Sequence, residues 1–594
     1  MKNVRLKIGL FLVAMLALTN SCKEDFLEVT PNGSLDATVL ATADGIDALL
    51  ISTYSMLDGV ASNGFGWEAA SSNWVYGSIR GLEANKGTDA GDQPDINPIQ
   101  TYTETSTNPY LNIKWRSVYD GVARANAALA VITQAVAKGT VTQAQAASFE
   151  AQARALRGYF HLEAFRLWGK ADGKGIPYVT ETTDQATLTN EEDVRDLIIA
   201  DLKAGADNLA ENMGQIGRFN KTVSSILYAK ALMQLKKDYT TAKPVLQAIV
   251  GANGPVAGAP WAGKKPNGSS IGLDAQYGAI FDAANRNTSL ERIYTVQYSV
   301  NDGSGGWNGG WGEVLNFPYK PGNASPGGCC GFFQPSHDFV NSFRVGEDGL
   351  PLLDNTYNTA ANALVDDQGL APASAFTEDD GLLDPRLDWS VGRRGIPYLD
   401  FGDHTGSDWI RDQSYAGPYS PKKQVYRKSQ TGQLTEVGNW TSGWTANGYR
   451  LVRAADVLLL LAEAQIETGD LAGGLANINS VRTRAKNSTP VTEANGTTPA
   501  ADYLINTYSS FANAEAARTA LRFERKLELG MEGHRYFDLQ RWGIVQTELT
   551  RILAYEKTRR VALYGPAAVG AEDVNYPIPQ QQIDITNGNL KQNR

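Results

Sequence analysis

Ala454–Ala464, AADVLLLLAEA, is apolar round nearly its whole circumference. A helix without a polar face is a buried helix. Asp456 and Glu463 stand too close together in it to allow the run of about 20 apolar residues that a membrane span needs. The segment is therefore expected at the centre of a globular, helix-built core. Downstream, Leu475, Ile478 and Arg482 mark a second helix, and Leu521–Leu529 and Tyr536–Trp542 two more. Upstream the 3.6-residue period returns on Trp115, Tyr119, Val122, Asn126 and Leu129, then on Leu156, Tyr159, Phe160 and Leu167. Val194, Ile198, Leu202 and Leu209 form a third stripe, which Thr189 and Glu192 are expected to open as a capping box. Val223, Leu227 and Leu235 form a fourth, and glycine or proline breakers separate them all. Trp115 and Trp168, at helical spacing, are expected in the core. Paired antiparallel helices in two sets imply a tetratricopeptide-like scaffold, although no strict repeat of about 34 residues recurs.

The chain has 594 residues, 42% hydrophobic and 20% charged, with a formal net charge of −10. That is the composition of a folded protein, and it offers no basic stripe to a nucleic acid. The N-terminus differs in kind. Lys2, Arg5 and Lys7 precede the eleven-residue apolar run Ile8–Leu18, which is too short to span a bilayer and reads as a cleavable export signal over 1–21. Cys22 then opens the mature chain, in a placement resembling a bacterial lipobox, followed by the charged Lys23, Glu24 and Asp25. Residues 22–45 read as a lipidated tether with a turn at Pro31–Gly33. Export places the chain where disulfides persist.

Residues 46–250 are the first helical part and 448–594 the second, with a glycine-, proline- and tryptophan-rich stretch, 251–447, between them. A span of that length is expected to carry function. Trp67, Trp74, Trp307, Trp311, Trp409, Trp440 and Trp444 lie outside clear helices, beside glycines and asparagines. Flat aromatic faces cover the C–H face of a sugar ring while Asn, Asp and Arg bond its hydroxyls. No catalytic motif competes with that reading. The four histidines have no metal-ligand spacing, so no metal is expected. GAPWAGKK, 258–265, puts Lys265 where a phosphate loop needs Ser or Thr, and Ser420–Lys423 lacks the companion motifs of the penicillin-binding enzymes. Abundant carboxylates single out no acid–base pair. A binding protein without cofactor is expected, and not an enzyme.

The chain resembles the SusD/RagB family of outer-membrane nutrient-binding lipoproteins, found in the Bacteroidetes. The carriers are Ser21–Cys22 with Phe26, Leu27 and Pro31; WRSVYDGVARANAAL from Trp115; EAQARALRGYFHLEAFRLWG from Glu150; and PSHDFVNSF from Pro335 leading to Asp348–Gly349. They continue with Asp384–Arg386, YRLVRAADVLLLLAEA from Tyr449, ANINSVRTRAK from Ala476, FERKLELGMEGHRYFDLQRWG from Phe523 and YPIPQQQI from Tyr576. The resemblance implies a mainly α fold: a tetratricopeptide-like helical-repeat scaffold with a large irregular loop-rich insert carrying the ligand site. It also implies a lipid-anchored surface protein that captures an oligosaccharide and delivers it to a SusC-like TonB-dependent transporter. Peptide capture, as by RagB-like proteins, is the alternative; a helical-repeat scaffold binding only protein is another. Glu532, Arg535 and Asp538 are expected to be framework.

Ligand residues are expected from residue type and loop position: Trp74, Trp307 and Trp311 to stack, and Asn63, Asp89 and Arg394 to bond hydroxyls. The pair Cys329–Cys330 resembles that of family members from fructan-utilising systems, pointing to fructo-oligosaccharides. Neighbouring Cα atoms lie about 3.8 Å apart across a trans peptide and about 2.9 Å across a cis one, below the usual disulfide range of roughly 4.4–6.8 Å. A bond between these cysteines would close a small ring that leans on the freedom of Gly327, Gly328 and Gly331. Two readings stay open: a ring that offers a sugar an apolar face beside Phe332 and Phe333, or two free thiols filling a loop.

Overall fold

The structure, a computed structural model, describes residues 37–60, 66–252, 254, 256–320 and 325–594. The export signal, Cys22 and the first part of the tether lie outside the described residues. The tether ends sooner than expected, since a helical turn occupies Ala37–Leu40 and α1 runs over Ala43–Ser55. The Thr42 hydroxyl accepts from the Gly45 amide to start α1, which buries Ile46 and Leu50.

Five long helices follow: α2 Pro109–Lys138, α3 Gln143–Trp168, α4 Arg195–Asn208, α5 Lys221–Ala231 and α6 Tyr239–Val250. α2 has Asn108 as its cap, proline at its first position and Gly139 in the left-handed region at its end. α3 opens with a capping box in which Thr142 and Gln145 satisfy each other's amides. The box expected at Thr189 and Glu192 does not form. The backbone there is tied instead to the preceding loop, Gly175 N–H to Asn190 O and Val194 N–H to Gly173 O, and α4 starts only at Arg195. Trp115 and Trp168 meet at 4.8 Å in the core, as their spacing predicts.

The second set is α7 Ala454–Glu467, α8 Leu471–Asn487, α9 Ala514–Leu529, α10 Arg535–Trp542 and α11 Val545–Arg559. Consecutive helices pack side by side from α2 to α6, and α6 packs on α7, which also touches α8 and α9. The fully apolar helix is thus the joint between the two halves. Its acids face other helices: Asp456 lies 2.6 Å from Lys230 on α5 and 2.9 Å from Arg525 on α9, and Glu463 is 2.8 Å from Arg541 on α10. Glu532, Arg535 and Asp538 are likewise paired, with Arg453 and Lys423, with Glu548, and with Arg525 and Arg541. Among the described residues no helix is long and apolar enough to cross a membrane.

Two stretches are not helical scaffold. Residues 56–108, expected to be mainly helical, hold a π-helical turn at Trp74–Ile79, the strand β1 Ala84–Gly87 and a short helix Ile96–Thr101. This segment lies backbone against backbone on the 531–533 turn. A Cβ on Gly77 would fall 1.9 Å from the Gly533 carbonyl oxygen. Between 251 and 447 only short elements occur among the described residues, including β2 Arg292–Tyr294 and β3 Phe332–Pro335. The strand β4, Val452–Arg453, pairs antiparallel with β2. Buried ions weld this irregular region to the helices: Arg453 binds Glu291, Glu528 and Glu532, Arg484 binds Glu291 and Glu528, and Arg386 binds Asp384, Glu524 and Glu528.

Candidate functional site

Five tryptophans from three separate stretches meet at one place. Trp307 stacks on Trp311 at 4.6 Å and 21° between ring planes. Trp67, Trp444 and Trp440 surround Trp311 at 6.0, 5.5 and 6.4 Å, and Trp440 meets Trp444 edge-on at 5.4 Å. Trp67, Trp311 and Trp444 are buried, whereas Trp307 is 50% and Trp440 41% exposed. The result is an aromatic floor with two open indoles on it. Glycines allow the close packing: the ring of Trp444 occupies the place a Cβ on Gly438 would take, 1.7 Å from its Cζ3. Asp302, Asn308 and Ser304 stand beside the platform in a loop that they close themselves. Asp302 accepts from the Ser304 amide at 3.0 Å and from Asn308 Nδ2 at 2.8 Å, and these bonds hold its carboxyl below the usual range.

The cysteine loop adjoins this platform through hydrogen bonds. The carbonyl of Gly327 accepts from Ser442 N–H and from the Thr441 hydroxyl, immediately after Trp440. Cys329 and Cys330 form a disulfide across a cis peptide bond. Cys329 is half-buried and Cys330 buried; Phe332 and Phe333, expected to widen an apolar face there, are both buried beneath. β1 pairs antiparallel with β3, Gly87 opposite Phe332, and Thr88 N–H bonds Gly331 O. That pairing brings Asp89 to the cysteine loop from a position about 240 residues earlier in the chain. Arg411 then joins both acids of the 89–92 loop, 2.8 Å from Asp89 and 2.7 Å from Asp92, and lies over the Tyr319 ring. Burial tends to raise the Asp89 carboxyl, but the amides of Asp92 and Gly91 and the Arg411 guanidinium bring it below its ordinary value. The Lys86 ammonium, pushed down to about 8 by burial, donates to the carbonyls of Asp89 and Asp92 and holds that loop in shape.

Asn63 lies outside the described residues. Two other expected residues, Trp74 and Arg394, do not have the surroundings their types suggest. Trp74 is 1% exposed, donates its Nε1–H to Gly312 O and packs edge-on against Phe332 and Phe333, so no ligand can reach its face. It supports the platform from below. Arg394 donates to the carbonyls of Pro372 and Ser374 and lies 3.7 Å from Asp367, which uses its guanidinium to hold its own loop. Sequence reasoning left Trp440, Arg411 and Tyr319 out of the candidate ligand set. Trp440 belongs to the set of loop tryptophans beside glycine and asparagine, but nothing in its sequence ranks it above the others; Arg411 and Tyr319 carry no such signal.

A small cavity of about 60 Å³ lies between helices of the scaffold, against Glu163, Arg166, Lys230, Asp456, Arg525 and His534. Its charges are paired with one another, Glu163 with Arg166 and Asp456 with Lys230 and Arg525, so it is ion-paired core.

The architecture is that of a helical-repeat protein, and its open aromatic floor is built from loops. A family model described as "SusD family" matches residues 290–594, and one described as "Starch-binding associating with outer membrane" matches 25–246. The chain belongs to the SusD family. It is 22% identical over 594 aligned residues to SusD-like protein P25 of Formosa agariphila, covering 95% of this chain and 94% of that one. It is 25% identical to a SusD-like protein of Bacteroides ovatus, a match that spans only 38% of this chain and 39% of the relative. Among solved structures, a SusD homolog from Bacteroides thetaiotaomicron superposes with a TM-score of 0.65 at 19% identity, covering 93% of this chain and 97% of that one. Surface glycan-binding protein A of Bacteroides thetaiotaomicron, solved in complex with laminarihexaose, superposes with a TM-score of 0.61 at 19% identity, covering 93% and 99%. These likenesses establish the tetratricopeptide-like helical fold.

Proposed function

We propose that the protein is a cell-surface glycan-binding lipoprotein, anchored through Cys22 to the outer membrane, that captures an oligosaccharide and passes it to a SusC-like TonB-dependent transporter. The observation that carries the glycan reading is the pair of open indoles, Trp307 and Trp440, on a floor of buried tryptophans. Rigid, partly wet aromatic faces with hydroxyl-bonding side chains beside them suit a sugar ring better than an extended peptide, which asks for an unpaired strand edge. The Cys329–Cys330 loop, hydrogen-bonded to the stretch after Trp440 and carrying Asp89, Asp92 and Arg411 beside it, is the candidate for the next sugar units, fructose units among them. Family membership, the family model described as "Starch-binding associating with outer membrane", and a structural neighbour solved in complex with laminarihexaose support the same reading.

Isothermal calorimetry of the chain against β-glucan, starch and fructan oligosaccharides tests it. Binding of one class, lost in the Trp307→Ala, Trp440→Ala double variant, is expected; binding of peptides alone would overturn it. Co-purification from native outer membranes should recover a large β-barrel transporter, and labelling with radioactive palmitate should depend on Cys22.

A further inference from the structure

A second open cleft, of about 340 Å³, lies in the loop-rich region and shares no lining residue with the tryptophan platform. Trp389, half-buried, forms one wall and fixes its indole by donating Nε1–H to Thr489 O at 3.2 Å. Gln276, Asn285 and Thr492 put amide and hydroxyl groups around it. Lys422 and Arg427 line the same cleft.

The charges there do not balance. Asp282 is fully engaged, accepting from Arg427, from Gln430 and from the Ala284 amide. Lys422 is buried; among the described residues its ammonium donates to two backbone carbonyls, those of Asp388 and Pro397, and lies 5.4 Å from the centre of the Tyr398 ring. The nearby Asp388 carboxylate is taken by Arg393, at 2.7 and 2.9 Å, and by the Tyr503 hydroxyl at 2.6 Å. Among the described residues Lys422 has no carboxylate at ion-pair distance, so one buried positive charge at the cleft is left without a counter-ion. An ammonium in that position is costly to keep charged, and an anion entering the cleft removes the cost. Burial lowers Lys422 to about 7, Asp388 opposing and Arg393 and Arg427 adding to the shift. An aromatic wall, amides and hydroxyls for sugar hydroxyls, and one uncompensated cation are together the groups an acidic sugar requires.

We propose that this cleft is a second binding site, for a uronic acid, with the sugar ring against Trp389 and its carboxylate facing the Lys422 ammonium.

Calorimetry of the full chain with digalacturonate and diglucuronate, each against an uncharged disaccharide of the same linkage, tests this. A uronate is expected to bind about tenfold more tightly than its neutral partner. Trp389→Ala should weaken it about fivefold. Lys422→Met should erase the preference for charge, and the Trp307→Ala, Trp440→Ala double variant should leave it unchanged. Arg427→Gln serves if Lys422→Met does not fold: with Asp282 no longer neutralised, the uronate should weaken and the neutral sugar should not. Failure of both uronates to bind overturns the proposal, as does a preference that survives Lys422→Met or vanishes in the platform variant. The platform variant separates a failure of this cleft from a failure of the main site.

Discussion

Trp307 and Trp311 are stacked on each other and separated by only four positions, yet they do different work. Trp307 has half its surface in water, so its removal uncovers little core. Trp307→Ala is expected to cost about 1 kcal/mol of glycan affinity, roughly fivefold, with little change in melting temperature. Trp311 is buried among four other tryptophans. Trp311→Ala should therefore cost about 3–5 kcal/mol of stability and lose binding only because the floor collapses. Calorimetric affinity and thermal melting of the two variants separate these outcomes; equal melting temperatures would refute the division. Residue type could not distinguish the two, nor could it show that Trp74, with the same glycine-and-asparagine surroundings, is sealed under Phe332 and Phe333.

At the level of elements, the helices were legible because their information is local. Apolar period, caps and breakers lie within each segment, and α2 and α7 occur where the period places them. The misread start of α4 shows where locality ends, since long-range backbone bonds to the 173–175 loop outcompeted a cap signature. Two variants contrast the local and the tertiary contribution. Thr142→Ala removes an exposed cap from α3 and should cost about 1 kcal/mol. Asp456→Ala removes the partner of the half-buried Lys230 on α5 and one of the two carboxylates of the buried Arg525 on α9, which keeps Asp538, and should cost about 3 kcal/mol. Urea denaturation of both variants measures the difference, and a larger loss in Thr142→Ala would contradict the central place given to α7.

For the whole molecule, buried titratable groups tie stability to pH. His161 accepts from Val179 N–H at Nε2, His404 accepts from Gly406 N–H at Nδ1, and each keeps the neutral form. Burial holds both at about 3 and His534 at about 4, below the ordinary 6.5. Below pH 6.5 the unfolded chain takes up protons on these histidines and the folded chain does not, so their contribution falls with pH. Asp58 and Glu83, raised to about 7 mainly by burial, act in the opposite sense between pH 7 and about 4.5, where the folded chain holds the extra protons. Below about 4.5 that opposition ends. Asp538, lowered to about 2 by Arg525 and Arg541 against the burial that raises it, then adds to the loss. Three histidine protons gained by the unfolded chain outweigh two carboxyl protons gained by the folded one, so stability is expected to fall gently from pH 6.5 to 4.5 and steeply below. Urea midpoints across this range check it, and Glu83→Gln should steepen the fall in the upper range; a flat profile to pH 3 would contradict the assignment.

The sequence by itself determined that the chain is built on paired helices and that an aromatic-rich stretch interrupts them; the framework role of 532–543 came from the family resemblance. Periodicity and composition are properties of neighbouring residues, and neighbours can be read in order. Only the tertiary structure decided which tryptophans face water, that Asp89 reaches the cysteine loop, and that Lys422 is left without a counter-charge. Each of those depends on residues tens to hundreds of positions apart, joined by β1–β3 pairing, by loop-to-loop hydrogen bonds and by the buried ions that bind the insert to the scaffold. Exposure and charge balance are sums over everything that packs around a side chain, and that sum exists only once the chain has folded.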